Sequence, residues 1–331
     1  MINCFVSKKM EIGDVMIYFY ALVVAFLIAF TIMPRLIRIA KKIDFVDKPI
    51  GRKKQKKPMP LVGGLGVFIS FFLSYIIFMR PLRKEFLSIF VASLLVFAIG
   101  IVDDWYKSKR KEFPAMPRLI IQILSAALIY NSGIVFNGFN NPFTHNYIML
   151  PKIVSLVFTI IWIVGVTTVI NWTDGVDGLA GTLSSIAAST LFIVALAKNQ
   201  DNSAIMSVLL LGALLAFLLY NKYPAKTYFG DSGANFAGFI LSIIALDGAF
   251  KQATIISVAI PILALGVPII DNLYVVLNRI IQRRPIHKAD ASQIHHRLLS
   301  RGLHPKQVVM FISLMSICLS LCAIIILLLK V

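Results

Sequence analysis

The 331-residue sequence is poor in charged residues, and poorest in acidic ones. Charged residues make up 15% of the chain, against about 25% in a typical soluble protein, and only 15 residues are Asp or Glu. Cysteine is also scarce: three cysteines, without the spacing of a zinc site, exclude a disulfide scaffold and a zinc finger. Because 58% of the residues are hydrophobic and the mean hydropathy is +0.84, a soluble globular fold is excluded as well.

Long apolar runs fill most of the chain. A helix that spans a bilayer needs about 20 mostly apolar residues. Ten runs approach that length: Val15–Ile39, Leu61–Met79, Phe86–Val102, Arg118–Phe136, Lys152–Ile170, Gly178–Ala197, Ser203–Tyr220, Gly233–Leu246, Thr254–Asn278 and Gln307–Leu329. They predict an all-α integral membrane protein, a polytopic bundle of about ten transmembrane helices that forms a single domain over residues 1–331.

The basic residues predict how this bundle is oriented. The net charge is +18, and Lys and Arg are concentrated in alternate gaps between the runs. The positive-inside rule then puts those gaps in the cytoplasm and both termini outside, in the cell membrane. The predicted cytoplasmic loops are about 40–60, 103–117, 171–177, 221–232 and 279–306. Because the charge follows the topology, it indicates anionic ligands and lipid rather than nucleic acid.

Most of the acidic residues that could act in catalysis or ligand binding fall in the same loops. Asp103 and Asp104 stand where the third run ends. Adjacent carboxylates repel each other, so one could act as a base, or the two could hold a hard cation. The alternative is a solvated helix end facing Lys107 and Arg110.

Two further acidic segments combine carboxylates with glycine. Asp174 and Asp177 are three residues apart and could share one helical face, or Asp174 could simply cap a helix. Asp231 lies in Phe-Gly-Asp-Ser-Gly, where a carboxylate beside exposed N–H groups suits a magnesium–pyrophosphate site. The alternative for Asp231 is a turn with an Asp cap.

Residues 289–302 form the pattern of a short amphipathic helix, capped by Asp290 or Ser292. His295, His296 and Arg297 on this helix favour phosphate binding over metal binding, because adjacent residues on a helix do not face each other. The alternative is a basic surface helix on anionic lipid. Asp271, inside the ninth run, predicts either a functional acid or a structural hydrogen bond to a neighbouring helix.

Five segments in this order resemble the polyprenyl-phosphate N-acetylhexosamine-1-phosphate transferases, the WecA/TagO/MraY superfamily. They extend from about Asp44 to Gly302: Asp47-Lys-Pro with Arg52-Lys53, Pro58-Met-Pro and Gly63-Gly64; Gly100-Ile-Val-Asp-Asp104; Asn171-Trp-Thr-Asp-Gly-Val-Asp-Gly-Leu-Ala180; Asn221-Lys-Tyr-Pro-Ala-Lys-Thr-Tyr-Phe-Gly-Asp231; and Arg283 to Leu299. The Ala-Asp…His-His-Arg-Leu-Leu ending and Pro268-Ile-Ile-Asp271 look like the WecA/TagO branch.

The resemblance implies a reaction and a set of roles. A polyprenyl phosphate, such as undecaprenyl phosphate, attacks the β-phosphate of a UDP-sugar, by branch default UDP-N-acetylglucosamine, and UMP is released. Mg²⁺, with Mn²⁺ as an alternative, is the implied cofactor, and dimers occur in the superfamily. The implied sites are, for the metal, Asp231 and Asn171; for catalysis, Asp103, Asp104, His295 and His296; and for substrate, Lys53, Lys56, Lys57, Asp174, Asp177, Asn221, Tyr228 and Arg297.

Several positions depart from the family pattern: Gln55, Leu61, Lys107, Thr168, Ala234 and Gln293. Three of these departures, Thr168, Ala234 and Gln293, are the only support for one rival hypothesis, a catalytically inactive lipid-binding scaffold. The other rival is a transporter, which the number of runs and the intramembrane Asp271 would suit. However, transporters place charged groups near the midplane and often contain repeats, whereas the acids of this sequence cluster on one predicted face and no repeat is found.

Overall fold

A computed structural model of the chain describes residues 12–48, 58–141, 146–248, 255–283 and 292–329. Helices dominate this part of the chain. They are, in order: α1 Ile12–Lys42, α2 Gly63–Phe78, α3 Phe86–Ser108, α4 Ala115–Asn131, α5 Lys152–Trp172, α6 Leu179–Ala197, α7 Asp201–Asn221, α8 Gly230–Gly248, α9 Ile255–Ala264, α10 Gly266–Ile281, α11 Ile294–Ser300 and α12 Pro305–Leu328.

The chain is a multi-pass membrane protein by the length and composition of its helices. Within the described residues, six helices are long and apolar enough to cross a membrane, or seven if α9 and α10 count as one broken span. The helices α2 and α4 are apolar but shorter. The predicted all-α membrane architecture is therefore confirmed, whereas the number of ten spans remains a prediction.

The helix α8 is the centre of the bundle. All of its residues from Gly230 to Gly248 are buried, and it packs against α2, α3, α5, α6 and α7. Aromatic rings fill the space around its middle: the ring centroids of Phe68 and Phe236 are 5.0 Å apart, and those of Phe68 and Phe97 are 4.4 Å apart. The middle of α8 is mostly apolar, as expected of a helix that is buried on all sides. Its two ends carry the charge.

Small residues let α1 pack closely against α7. Ala21, Ala25 and Ala29 recur every four residues on α1 and are fully buried. Opposite them, a side chain at Gly212 of α7 would collide with the α1 backbone. In a membrane, where apolar lipid competes equally for apolar helix surfaces, this close backbone approach is the usual source of helix–helix stability.

The ninth apolar run, predicted as one span, is not a single continuous helix. It forms α9 and α10, whose axes differ by 84°. Pro268 explains the break, because it lacks the N–H that would continue the hydrogen-bond ladder to Ala264. Pro268 lies in the first turn of α10, where no such donor is needed.

Two short antiparallel strand pairs were not predicted. β1 Val46–Asp47 pairs with β2 Met59–Pro60, and β3 Gly138–Asn140 pairs with β4 Tyr147–Met149. The first pair lies between α1 and α2. The backbone N–H groups of Gly63 and Gly64, just after β2, donate to the carbonyls of Tyr228 and Phe229 at 3.0 Å. These contacts hold the segment before α8 in place.

Candidate active site

The candidate site lies where α3 ends and α8 begins. Asp103 and Asp104 are in the last turns of α3, and Asp231 is in the first turn of α8. All three carboxylates are buried, with exposures of 3%, 0% and 7%. Buried carboxylates this close together are unfavourable unless hydrogen bonds or cations compensate them. The compensation differs for each of the three.

Asp104 caps the N-terminus of α8. Its Oδ1 accepts from the Asp231 N–H at 2.9 Å, and its Oδ2 accepts from the Ser232 N–H at 3.1 Å and the Ser232 hydroxyl at 2.7 Å. A helix N-terminus favours such an anion, because its first N–H groups have no partner within the helix. Gly230 precedes the cap with a φ of +77°, and a side chain there would overlap the Asp104 carboxylate.

Asp103 has different partners from Asp104. Its Oδ2 accepts from Nη1 of Arg118 in the first turn of α4, and the same Nη1 lies 3.2 Å from Oδ2 of Asp231. The Nζ of Lys107 lies 2.7 Å from Oδ1 of Asp231. Two acids and two cations therefore meet at one point, and both cationic side chains reach the surface, 28% exposed for Arg118 and 41% for Lys107.

The same point offers oxygen atoms to a hard cation. The Nδ2 of Asn171, in the last turn of α5, donates to Oδ1 of Asp231 at 3.1 Å, and a half-turn of this amide exchanges its nitrogen and oxygen. Among the described residues, no group of three or more His, Cys, Asp or Glu side chains forms a metal cage. Mg²⁺ commonly uses only one or two carboxylates together with substrate phosphates and water, so Asp103, Asp231 and Asn171 fit it.

Asp174 and Asp177 lie in the loop between α5 and α6. The pKa of Asp174 is raised to about 8, mainly by desolvation and secondly by the charge of the Asp231 carboxylate. Desolvation also raises the pKa of Asp177, although its Oδ2 accepts from the Ala225 N–H at 3.0 Å. Neither residue caps α6, because Gly178 holds the N-cap position without a side-chain hydrogen bond.

Asn221, at the end of α7, joins this loop to the segment before α8. Its Oδ1 accepts from the Gly178 N–H and its Nδ2 donates to the Thr227 carbonyl, both at 2.9 Å. Both ends of the buried amide are therefore engaged within the protein, which is the geometry of a scaffold residue. Tyr228 is only partly buried. The pKa of its hydroxyl is raised, mainly by desolvation and secondly by the charge of the Asp177 carboxylate.

The histidine segment reaches the same loop from the other side. His295 of α11 is 1% exposed, its ring is packed against the backbone of Gly175, and its Nε2 has no hydrogen-bond partner among the described atoms. The pKa of His295 is lowered to about 3, mainly by burial and secondly by the charge of the neighbouring His296. The ring is therefore neutral at pH 7. The Nη2 of Arg297 is 3.5 Å from Oδ1 of Asp271.

The structure thus brings most of the predicted residues to one end of the bundle. Lys53, Lys56, Lys57 and the cap candidate Asp290 lie outside the described residues. The other cap candidate, Ser292, does not cap α11: Gln293 holds the N-cap position, without a side-chain hydrogen bond. Arg118 was missed as a site residue, although a lone Arg at the end of an apolar run is a recognisable signal.

Sequence comparisons agree with this geometry. The model of glycosyl transferase family 4 matches residues 86–249. A Bacillus subtilis (strain 168) protein named "Probable undecaprenyl-phosphate N-acetylglucosaminyl 1-phosphate transferase" is 36% identical over 305 residues, 92% of this chain and 84% of the relative. A phospho-N-acetylmuramoyl-pentapeptide-transferase of Clostridium acetobutylicum is 28% identical over 316 residues, 92% of this chain and 97% of the relative.

A third relative, a decaprenyl-phosphate N-acetylglucosaminephosphotransferase of Mycobacterium leprae, is 27% identical over 304 residues, 83% of this chain and 75% of the relative. The matches extend over nearly the whole chain and include the helices that carry Asp103, Asp104, Asn171 and Asp231. The resemblance predicted from the five motifs is confirmed, and the chain belongs to glycosyl transferase family 4, the polyprenyl-phosphate N-acetylhexosamine-1-phosphate transferases.

Proposed function

We propose that this protein transfers N-acetylglucosamine-1-phosphate from UDP-N-acetylglucosamine to a polyprenyl phosphate, such as undecaprenyl phosphate, in cell-envelope glycan synthesis. An oxygen of the lipid phosphate forms a bond to the β-phosphorus of the donor. The bond from that phosphorus to the bridging oxygen breaks, and UMP leaves with the electron pair. The observation that carries the proposal is the meeting of Asp103 and Asp231 with Arg118 and Lys107 at one end of an apolar bundle.

Asp103 is the better candidate to orient or deprotonate the lipid phosphate. The three hydrogen bonds that Asp104 accepts from α8 occupy both of its oxygens. Asp103, by contrast, shares one Arg118 nitrogen with Asp231. Phosphoryl transfer asks mainly for positioning and charge stabilisation. Arg118 and Lys107, each partly exposed, supply cationic donors for the phosphate oxygens.

Asp231 and Asn171, with Asp103 beside them, would hold Mg²⁺ or Mn²⁺. When bound, the ion neutralises charge on the donor pyrophosphate. The chain supports this assignment by concentrating oxygen ligands where Lys107 and Arg118 now balance the carboxylates.

The donor is assigned to the surface between the α5–α6 loop and α11. His295 is buried against this loop, its Nε2 without a partner among the described residues, and His296 and Arg297 follow it on the same helix. Asp174, Asp177 and the half-buried Tyr228 border the same region and suit the uridine. Asn221 is assigned to hold this loop against the segment before α8. Lys53, Lys56 and Lys57 would attract both anionic substrates electrostatically.

The proposed topology has ten spans in one domain over residues 1–331, both termini outside and the site facing the cytoplasm of the cell. It is supported by the sequence, because the gaps between apolar runs that are rich in Lys and Arg also contain most of the site residues. A homodimer is proposed from the superfamily alone. In a variant without Cys4, Cys318 and Cys322, a cysteine introduced at Lys109 should react with a membrane-impermeant maleimide only after the cells are opened; labelling of intact cells would overturn this orientation.

UMP release tests the function. The purified protein is incubated with undecaprenyl phosphate, Mg²⁺ and each of several UDP-sugars. Release that requires the lipid, the metal and UDP-N-acetylglucosamine is expected. Release with another sugar alone would correct the donor. No release with any donor, from folded protein that binds the lipid, would contradict the enzyme and favour an inactive scaffold or a transporter.

A further inference from the structure

The short helix α11 carries three of the proposed donor-site residues but cannot hold itself in place. It spans only Ile294–Ser300, and an isolated helix of this length is not stable in water. Gln293, at its N-cap position, makes no side-chain hydrogen bond to the helix, and glutamine is not among the favoured N-cap residues. Something outside α11 must therefore satisfy its first N–H groups.

A carboxylate from α10 does this. Oδ1 and Oδ2 of Asp271 lie 2.9 and 3.1 Å from the Ile294 nitrogen, which donates to both. Asp271 is 6% exposed and belongs to the broken ninth run, where an unpaired acid would be costly. In the described residues the hydrogen bonds of Asp271 go to α11, to Ile294 and Arg297, and none joins it to Asp103, Asp104 or Asp231.

A second contact from α10 fixes the same turn. The guanidinium carbon of Arg297 lies 4.5 Å from the centroid of the Tyr274 ring, one turn after Asp271 on α10. Arg297 Nη2 also approaches Asp271. The apolar face of α11, with Ile294, Leu298 and Leu299, packs against a cluster that includes Val176 and Val308. Apolar packing is non-directional, so the polar contacts to α10 determine the rotation of α11.

The rotation of α11 decides where His295 points. His295 directly follows the capped residue, and its ring is packed on Gly175 in the loop that contains Asp174 and Asp177. We infer that Asp271 is a positioning residue of the donor site: its carboxylate replaces the N-cap that α11 lacks and thereby holds His295 against this loop. The inference rests on the proposed function, because the proposed function makes this loop a donor site.

The test moves the cap from α10 to α11. Asp271→Ala should raise the KM for UDP-N-acetylglucosamine roughly tenfold, the scale of a lost helix cap, and leave the KM for the lipid phosphate unchanged. Adding Gln293→Asp to that variant supplies a cap on α11 itself, four residues before Arg297, and should restore the donor KM. Gln293→Asp alone is the control and should behave as the wild type does. Asp271→Asn, which keeps the shape and one acceptor, should give a smaller loss.

Hydrogen exchange of the α11 amides is the second readout. It should accelerate in Asp271→Ala and slow again in the double variant. An unchanged donor KM in Asp271→Ala, a loss confined to kcat, or unchanged amide exchange would each overturn the inference. So would a double variant with protected α11 amides but no recovery of KM. If the wild type releases no UMP with any donor, the proposed function fails, and amide exchange still tests the cap.

Discussion

The two ends of α8 carry similar charges but are built differently. At its C-terminal end, Asp247 accepts from Nη1 of Arg83 at 2.7 Å, from Nη2 of Arg83 at 3.4 Å and from the Ser203 hydroxyl at 3.1 Å. At its N-terminal end, Asp231 meets Lys107 and Arg118 through one nitrogen each. Both acids are buried on the same helix, so burial alone does not distinguish a structural acid from a reactive one.

The difference lies in the counter-ions. The Arg83 side chain is 12% exposed and donates into Asp247 and Glu85 together, so its fork-shaped donor set is enclosed by the protein. Lys107 and Arg118 are 41% and 28% exposed. A ligand can therefore reach these two cations and displace them from the carboxylates, which is what a phosphate site requires. The C-terminal end of α8 is therefore held by an enclosed ion pair, whereas the counter-ions at its N-terminal end can be exchanged for a ligand.

Exchanging each acid for its amide should separate these roles most strongly. Asp231→Asn should lower kcat about 10³-fold or more, because it removes charge where phosphoryl transfer needs it, and should leave the unfolding temperature close to that of the wild type. Asp247→Asn should keep turnover and lower the unfolding temperature, since breaking a buried ion pair costs about 3–5 kcal/mol. UMP release and thermal unfolding in detergent measure both. Lost turnover at unchanged stability in Asp247→Asn would contradict the comparison.

The adjacent acids of α3 should separate in the same way. Asp103→Asn should lower kcat about 10²-fold with little change in stability, as expected for a group that orients or deprotonates the lipid phosphate. Asp104→Asn should lower both kcat and stability, because an amide cannot accept all three hydrogen bonds from the start of α8. The loss in the free energy of unfolding should be about 1–3 kcal/mol. If Asp104→Asn is as stable as the wild type, Asp104 is not the cap of α8.

Lys107 tests whether the counter-ions at the site are exchangeable. Lys107→Met should tighten Mn²⁺ binding about fivefold or more, because it removes an ammonium 2.7 Å from the Asp231 carboxylate. Electron paramagnetic resonance of free Mn²⁺ measures this without turnover. Lys109→Met is the matched control: Lys109 lies over the Trp105 ring instead, so its loss should leave Mn²⁺ binding unchanged. Equal affinity in all three proteins would remove Lys107 from the ion site.

The last prediction concerns the pH dependence of stability. Burial lowers the pKa of His295 from 6.5 to about 3, so below pH 6.5 the unfolded chain binds a proton that the folded chain does not. Stability should therefore fall as the pH decreases from about 6.5 to about 3, by at most about 1.4 kcal/mol per unit from this residue. His295→Gln should flatten that slope in unfolding measurements. A slope that persists in the His295→Gln protein would assign the pH dependence to other groups.

The predictable parts of the molecule are those that depend on neighbours in sequence. Apolar length located the helices, and the acids that the motifs singled out do lie at or beside helix ends. The break in the ninth run was hidden, because its length suits one span although Gly266 and Pro268 mark the interruption. The partners of Asp231 were hidden too: Lys107 and Arg118 come from α3 and α4, more than 100 residues earlier. Nothing local predicts such a pairing.

The sequence by itself determined that this is a helical membrane protein and that its scarce acids gather in a few connecting segments, because apolar length and motif order can be recognised without coordinates. Only the tertiary structure decided what each acid does. Asp103 and Asp104 are consecutive, and consecutive residues on a helix point about 100° apart. One therefore faces Arg118 and the open site while the other caps α8, and Asp271 caps a helix that begins 23 residues later in the chain.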